Sequence, residues 1–224
     1  MKEILDFLRE LRVNNNRDWF NVHKEEYDRA KKEFETFTQS LILKIGEFDK
    51  EILNVTPKEC VFRLFRDIRF THDKTPYKNH FGTYIAYPGG RKSPRGGYYF
   101  HVDPVEGCFL GVGIWSPEPT ILKALRESIF DNYDEFEEII NEPEFKNIFG
   151  NSFYGEEKLK TLPKGFPADF RNPEILKLKH YLVSYDLSDR EINNKNLPDY
   201  LANLAKVAYP LNRFLNYTVD ELNA

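Results

Sequence analysis

Cysteine is nearly absent from this 224-residue chain: Cys60 and Cys108 are the only two, and neither belongs to a CxxC pair. That excludes a disulfide framework and a cysteine-rich zinc module. Both thiols are expected to be buried small hydrophobes in a reducing cytoplasm. Long apolar runs are missing too, and no uncharged stretch approaches the ~20 residues of a membrane span. The first twelve residues, MKEILDFLRELR, carry charge every few positions and predict no signal peptide. There is no Walker loop, GxGxxG, HExxH, GxSxG or EF-hand pattern, so no nucleotide, zinc-protease, hydrolase or calcium motif directs the reading. Repeats, low-complexity tracts and separating linkers are also missing, which predicts one domain over residues 1–224.

The composition is that of a folded protein. Hydrophobic residues make up 41% and charged residues 30%, which excludes both a disordered chain and a membrane bundle. Nineteen Phe and thirteen Tyr predict a core built on rings. The formal net charge of −4 hides a segregation. Residues 58–96 hold nine basic and three acidic residues and are net +6, leaving the remainder at −10.

Residues 1–50 read as helical. Ile4, Leu5, Leu8 and Leu11 lie at helical spacing, and Asn14-Asn15-Asn16 then breaks the pattern. A second apolar stripe runs through Phe20, His23, Tyr27, Ala30, Phe34, Phe37, Leu41 and Ile45 to Gly46. Residues 58–115 change to a period of two. Strands are expected over 62–70, 81–87, 98–103 and 108–115, with a hairpin turn at Pro104–Gly107. Residues 116–224 read as mainly helical: about 119–131, 132–141, a short helix after Asn172-Pro173, and a last one from Asn196 that Pro210 kinks or ends. Residues 150–171 look irregular. The fold class is α+β, an antiparallel sheet of four or more strands at about 60–115 packed with N- and C-terminal helices.

The densest chemistry lies in Arg63-Leu-Phe-Arg66-Asp67-Ile-Arg69-Phe70-Thr-His72-Asp73-Lys74-Thr-Pro76-Tyr77-Lys78. On a strand, Arg63, Asp67 and Arg69 share one face and Arg66 shares the apolar one, where it must be paired or line a cleft. Guanidinium forks suit phosphate or carboxylate, and lysines add point charge. An anion pocket and an internal ion-pair network both fit, with Asp67 and Asp73 as partners in the second case.

The run RxxRDxRFxxDKxxY resembles the hallmark of the bacterial domain-of-unknown-function family 2461, whose members have about this length. Asn14-Asn-Asn with Trp19-Phe20 and Tyr27 is similar as well. So are Tyr98-Tyr99-Phe-His101, Gly111-Val-Gly113, and Leu162-Pro-Lys164-Gly165 ahead of Leu176-Lys-Leu-Lys179. The likeness spans most of the chain, with Val112 where another glycine is expected. The family has no agreed activity, so the resemblance implies relatives and assigns no catalytic residue.

In the expected hairpin, Tyr99, His101 and Asp103 share one strand face. Phe109, Gly111, Gly113 and Trp115 share a face of the partner strand. His101 beside Asp103 is either an oriented general base, its pKa raised by the carboxylate, or a histidine hydrogen-bonded within the sheet. The glycines either admit a ligand to the backbone or make room for a ring. His72, Asp73, His80, His101 and Asp103 lack metal-site spacing, so no metal is expected; one would need long-range convergence.

The reading is a site for a small anionic ligand bearing phosphate or carboxylate. Arg63, Arg66, Arg69, Lys74 and Lys78 hold the anion, Asp67 orients an arginine, and Tyr77 and His101 handle protons. Arg91 to Arg95 form a mobile flap. No reaction and no cofactor follow. The competing reading is a non-catalytic nucleic-acid-binding or protein-interaction module, because the basic segment is interleaved with aromatics.

Overall fold

The computed structural model describes residues 1–150, 153 and 157–223. The apolar stripes form the first helices. In α1 (Lys2–Val13), Ile4, Leu5, Phe7, Leu8 and Leu11 are buried. The second stripe is divided between α2 (Arg17–Val22) and α3 (Lys24–Ile45). The Asn16 side chain caps α2 by accepting from the Trp19 amide at 2.9 Å, and His23 stacks on the Trp19 ring at the break. A short α4 (Pro57–Cys60), held by a Thr56–Glu59 capping box, precedes the sheet.

Three of the expected strands are present: β1 (Phe81–Ile85), β2 (Gly97–Asp103) and β3 (Gly107–Ile114). Five helices follow: α5 (Pro119–Asp131), α6 (Tyr133–Asn141), α7 (Pro143–Phe149), α8 (Pro173–Leu176) and, after a further strand, α9 (Asp189–Ile192). That strand, β4 (Tyr181–Leu187), lies outside the 60–115 span and pairs with β3. All pairings are antiparallel, in the order β1-β2-β3-β4. α10 (Leu197–Val207) and α11 (Tyr209–Glu221) close the chain, with Pro210 in the first turn of α11, where its missing N–H costs nothing. No helix among the described residues is long and apolar enough to cross a membrane. The irregular stretch at 150–171 lies partly outside the described residues, and its Lys164-Gly165 is a turn.

The expected strand at 62–70 is not a strand. Val61 bridges to Thr83 and Phe62 N–H donates to the Gly82 carbonyl, so the chain lies briefly beside β1. It then folds out as an irregular hairpin, closed by the Phe65–Tyr77 bridge and by the pairs Arg66 N–Pro76 O (3.0 Å) and Lys78 N–Leu64 O (2.8 Å). The reason is charge. Arg63, Asp67 and Arg69 take one face of any strand drawn through them and Arg66 interrupts the other, so no continuous apolar face is left to bury, and only Leu64 of that face reaches the core.

The sheet is two-sided. Tyr98, Phe100 and Val102 of β2 face inward with Leu110 and Val112 of β3, all essentially buried. Phe34 of α3 meets Phe81 at 5.3 Å, and Phe37 meets Phe100 at 5.1 Å. Each such ring contributes about 1.5–3 kcal/mol by burial. Tyr98 Oη donates to Asp49 at 2.9 Å, and burial raises the pKa of that carboxyl. The two cysteines are buried and form no disulfide: Cys60 lies at the end of α4, and Cys108 in β3 donates its thiol to the Asp103 carbonyl at 3.6 Å.

The segment expected as a mobile flap is tied down. Arg91 donates to the carbonyls of Lys58, Glu59 and Val61. The Arg95 side chain is 11% exposed and bridges Glu51 (2.7 Å) and Asp220 (3.2 Å) while donating to the Tyr87 carbonyl. Arg95→Ala is therefore expected to destabilise the fold by about 1–2 kcal/mol, a charge-assisted bond discounted for its half-exposed partners. Urea unfolding would measure it, and an unchanged midpoint would show that these contacts hold nothing.

Candidate functional site

The basic run divides among three places. At the hairpin tip Arg69 forms a two-pronged pair with Asp67 (2.9 and 2.7 Å), and Lys74 donates to the Ile68 carbonyl at 2.9 Å. The Arg69 side chain is 75% exposed, so Asp67 does bind an arginine, but in solvent. Arg66 bonds Asp73 and the Thr75 hydroxyl, both through Nη1, which leaves its Nε–Nη2 edge out of these contacts. Lys78 lies half-buried over the Phe62 ring (5.3 Å), its pKa lowered by burial and then by Arg63. The five expected anion ligands do not converge.

Arg66 does meet new neighbours. Arg17 and Asn21 of α2, with Phe65, Arg66, Ile68, Pro76 and Tyr77, line a cleft of about 270 Å³. Tyr77 stacks on Phe20 (4.1 Å) within a cluster of Tyr27, Phe65 and Phe81. Burial raises the Tyr77 hydroxyl pKa against the opposing charge of Arg17, so at neutral pH it is a hydrogen-bond donor and not a base. Asn15 locks this arrangement. Its side chain accepts from Tyr77 N (3.1 Å) and donates to Tyr77 O (3.0 Å) and to Asn79 Oδ1 (2.9 Å). A larger groove of about 670 Å³ is lined by Asp49, Glu51, Glu135 and Asp220 against Arg95 and Arg213, a balance that disfavours an anion.

The outward face of the sheet forms a second constellation. His101 has its Nδ1 2.9 Å from Tyr99 Oη, stacks on Phe109 and lies 4.4 Å, ring to ring, from His80. Its orienting partner is therefore Tyr99 and not Asp103. Burial and the neighbouring His80 outweigh Asp103 and push its pKa down to about 4, the opposite of the rise expected from the carboxylate. Asp103, only 2% exposed, accepts on Oδ1 from Arg12 (3.3 Å) and from the amides of Val105 and Glu106. The glycines serve packing. A Cβ at Gly82 would sit 2.8 Å from Tyr99 Oη, and Gly113, at φ 128°, has the Tyr181 backbone against it.

With this geometry in place, comparison with known proteins supplies the relatives. The model of the family described as "Conserved hypothetical protein (DUF2461)" matches residues 3–214. The chain belongs to that family. No curated protein and no solved structure matches it. In this DUF2461 chain the hallmark run is a hairpin with its own internal ion pairs, and of its fixed signature positions Arg66 and Tyr77 line the cleft, beside Phe65, Ile68 and Pro76 from the variable ones.

Sequence reasoning missed Arg17, Asn15 and Asn21, which meet the hairpin only in space. The Asn14-Asn-Asn and Trp19-Phe20 segment, already noticeable as a signature, was the available signal. Within the hairpin, Asp73 accepts from the Thr75 amide, from Arg66 and from the Thr75 hydroxyl, which lower its pKa to about 2. Its folded value lies below the ordinary 3.8, so its stabilisation is present above about pH 4 and lost as pH falls toward 2. A carboxyl titration followed by NMR should place the Asp73 midpoint near 2, and Thr75→Val should raise it. A midpoint at the ordinary 3.8 would show the network to be absent in solution.

Proposed function

We propose that this chain binds a small anion bearing a phosphate or carboxylate in the cleft between α2 and the hairpin. The observation that carries the reading is the placement of Arg17 and Arg66, from separate elements, on the walls of one cleft with Asn21 and Tyr77. Arg66 offers its unused Nε–Nη2 edge as a fork, while Arg17, Asn21 and the Tyr77 hydroxyl complete the set of donors. A volume of about 270 Å³ falls just under the roughly 300–1,000 Å³ of drug-sized pockets and favours a small anion over a dinucleotide. In this reading Arg63, Arg69, Lys74 and Lys78 supply attractive field without touching the ligand. Tyr77 donates a hydrogen bond, and neither Asp67 nor His101 takes part.

The reading treats residues 1–224 as one domain of a bacterial protein working in the cytoplasm. Its two buried thiols fit a reducing compartment, and burial pushes the Cys60 thiol up to about 12. A second reading rests on a different observation. Phe70 at the hairpin tip is 91% exposed with the Arg69 guanidinium 5.5 Å from its ring, an arrangement that suits stacking on an unpaired base or docking on a protein.

Titration calorimetry with inorganic phosphate, pyrophosphate and citrate tests the first reading. Arg17→Ala and Arg66→Ala should each weaken the best of these by roughly 10- to 100-fold, the loss of one charge-assisted contact. Folding should be little affected in either variant, because Arg66 pairs with an acid that is itself exposed. Unchanged affinities would sink the cleft. Binding of a single-stranded oligonucleotide, abolished by Phe70→Ala and steep in salt, would favour the second reading.

A further inference from the structure

We propose that His80, His101 and Asp103 form a binding site for one divalent first-row transition metal ion of the zinc type. The register of the sheet brings them together. Phe81 pairs with Val102 and Gly82 with His101, so His80, one step further out, stands opposite Asp103. Side chains two apart on β2 share a face, which places His101 beside Asp103 and diagonal to His80. One ligand atom from each of the three lies within 4.8 Å of the other two. Bonds of about 2.0–2.2 Å in a tetrahedral site set ligand atoms roughly 3.3–3.6 Å apart, a closure that small side-chain rotations supply. This is the long-range convergence that spacing along the chain does not reveal.

The supporting shell is that of a metal site. Tyr99 Oη holds His101 Nδ1, which leaves Nε2 as the coordinating nitrogen, and Phe109 stacks on the ring. Arg12 and the amides of Val105 and Glu106 all meet Asp103 on Oδ1, leaving Oδ2 as the oxygen these contacts do not use. The same neighbours select the ion. Arg12 beside Asp103 and Lys78 near His80 oppose a hard cation held by charge alone, while two imidazoles favour zinc, cobalt or nickel over magnesium or calcium. Three protein ligands leave a fourth position, and both histidines are only half-buried, so that position is open to water or to an anionic ligand.

The site stands apart from the cleft between α2 and the hairpin, and either can fail without the other. The test uses the full chain stripped with chelator and titrated with Co²⁺ by visible absorbance and with Zn²⁺ by calorimetry. One equivalent should bind, with tetrahedral cobalt bands, and excess Mg²⁺ or Ca²⁺ should not displace it. His80→Ala removes a ligand outside the strands and should abolish the bands with the circular dichroism unchanged. Asp103→Asn should weaken binding strongly, Tyr99→Phe about tenfold as a supporting contact, and His72→Ala at the hairpin tip not at all. Should His80→Ala fail to fold, paramagnetic shifts in the wild type must fall on the His80 and His101 rings and spare His72. No uptake by the wild type, or uptake that survives both His80→Ala and Asp103→Asn, would overturn the proposal. With both proteins kept metal-free, phosphate binding in the His80→Ala variant should match the wild type, which separates this result from the fate of the cleft.

Discussion

The two-sidedness of β2 is the constraint on which the rest of the structure depends. Tyr98, Phe100 and Val102 are buried on the inner face, with Phe100 against Phe34 and Phe37 of α3, and a period of two then forces Tyr99, His101 and Asp103 to the opposite face. A slip of one residue would drive an imidazole and a carboxylate into the aromatic core, at a cost of several kcal/mol without partners. The register is therefore fixed by residues that touch no ligand. Gly82 is part of the same constraint. It lies opposite His101 with Tyr99 Oη packed across it, and a side chain there would lift Tyr99 away from the His101 nitrogen.

Charge segregation takes a more local form in three dimensions than along the chain. The hairpin neutralises part of itself, Arg66 with Asp73 and Arg69 with Asp67. Arg95 is neutralised from outside by Glu51 and Asp220. The positive segment and the acidic remainder thus meet at particular pairs rather than as two opposed surfaces. That weakens the case for a long polyanion, whose affinity grows with the number of free cations it meets. Thr71, Asp73 and Thr75 bond within a few residues of one another, so an irregular loop acquires a defined shape without a core of its own.

The legible parts of the sequence were those where a single period decides burial. The stripe from Ile4 to Leu11 and the strands at 81–85, 97–103 and 107–114 carry one clean face each, so helices and hairpin could be placed. β4 was hidden because Tyr181-Leu-Val-Ser-Tyr-Asp-Leu187 sits alone among helices with no hairpin partner next to it in the chain, and the edge it completes belongs to β3, far away in sequence. The run at 62–70 erred in the other direction. Its apolar residues alternate, but the charges between them do not stay on one face, and ion pairing overrode the pattern. The candidate sites were legible only by residue type. His101 and Asp103 are two apart and visible, whereas His80 joins them through a register that no single strand contains.

Asn15 shows why the family's scattered signatures belong together. Its one side chain clamps both backbone groups of Tyr77 and the amide of Asn79, tying the return arm of the hairpin to the turn between α1 and α2. Asn16, the next residue, caps the helix that carries Arg17, Asn21 and Phe20. The cleft therefore exists only where the asparagine turn and the arginine hairpin are both formed. Each would otherwise leave exposed backbone donors or an unpacked Phe20–Tyr77 stack. The same clamp ends one residue before His80, so the position of that ring above β2 is inherited from Asn15 as much as from the sheet. A short polar turn near the N-terminus thus sets the geometry of side chains more than sixty residues away, because three hydrogen bonds from one amide leave the connecting backbone little freedom to move.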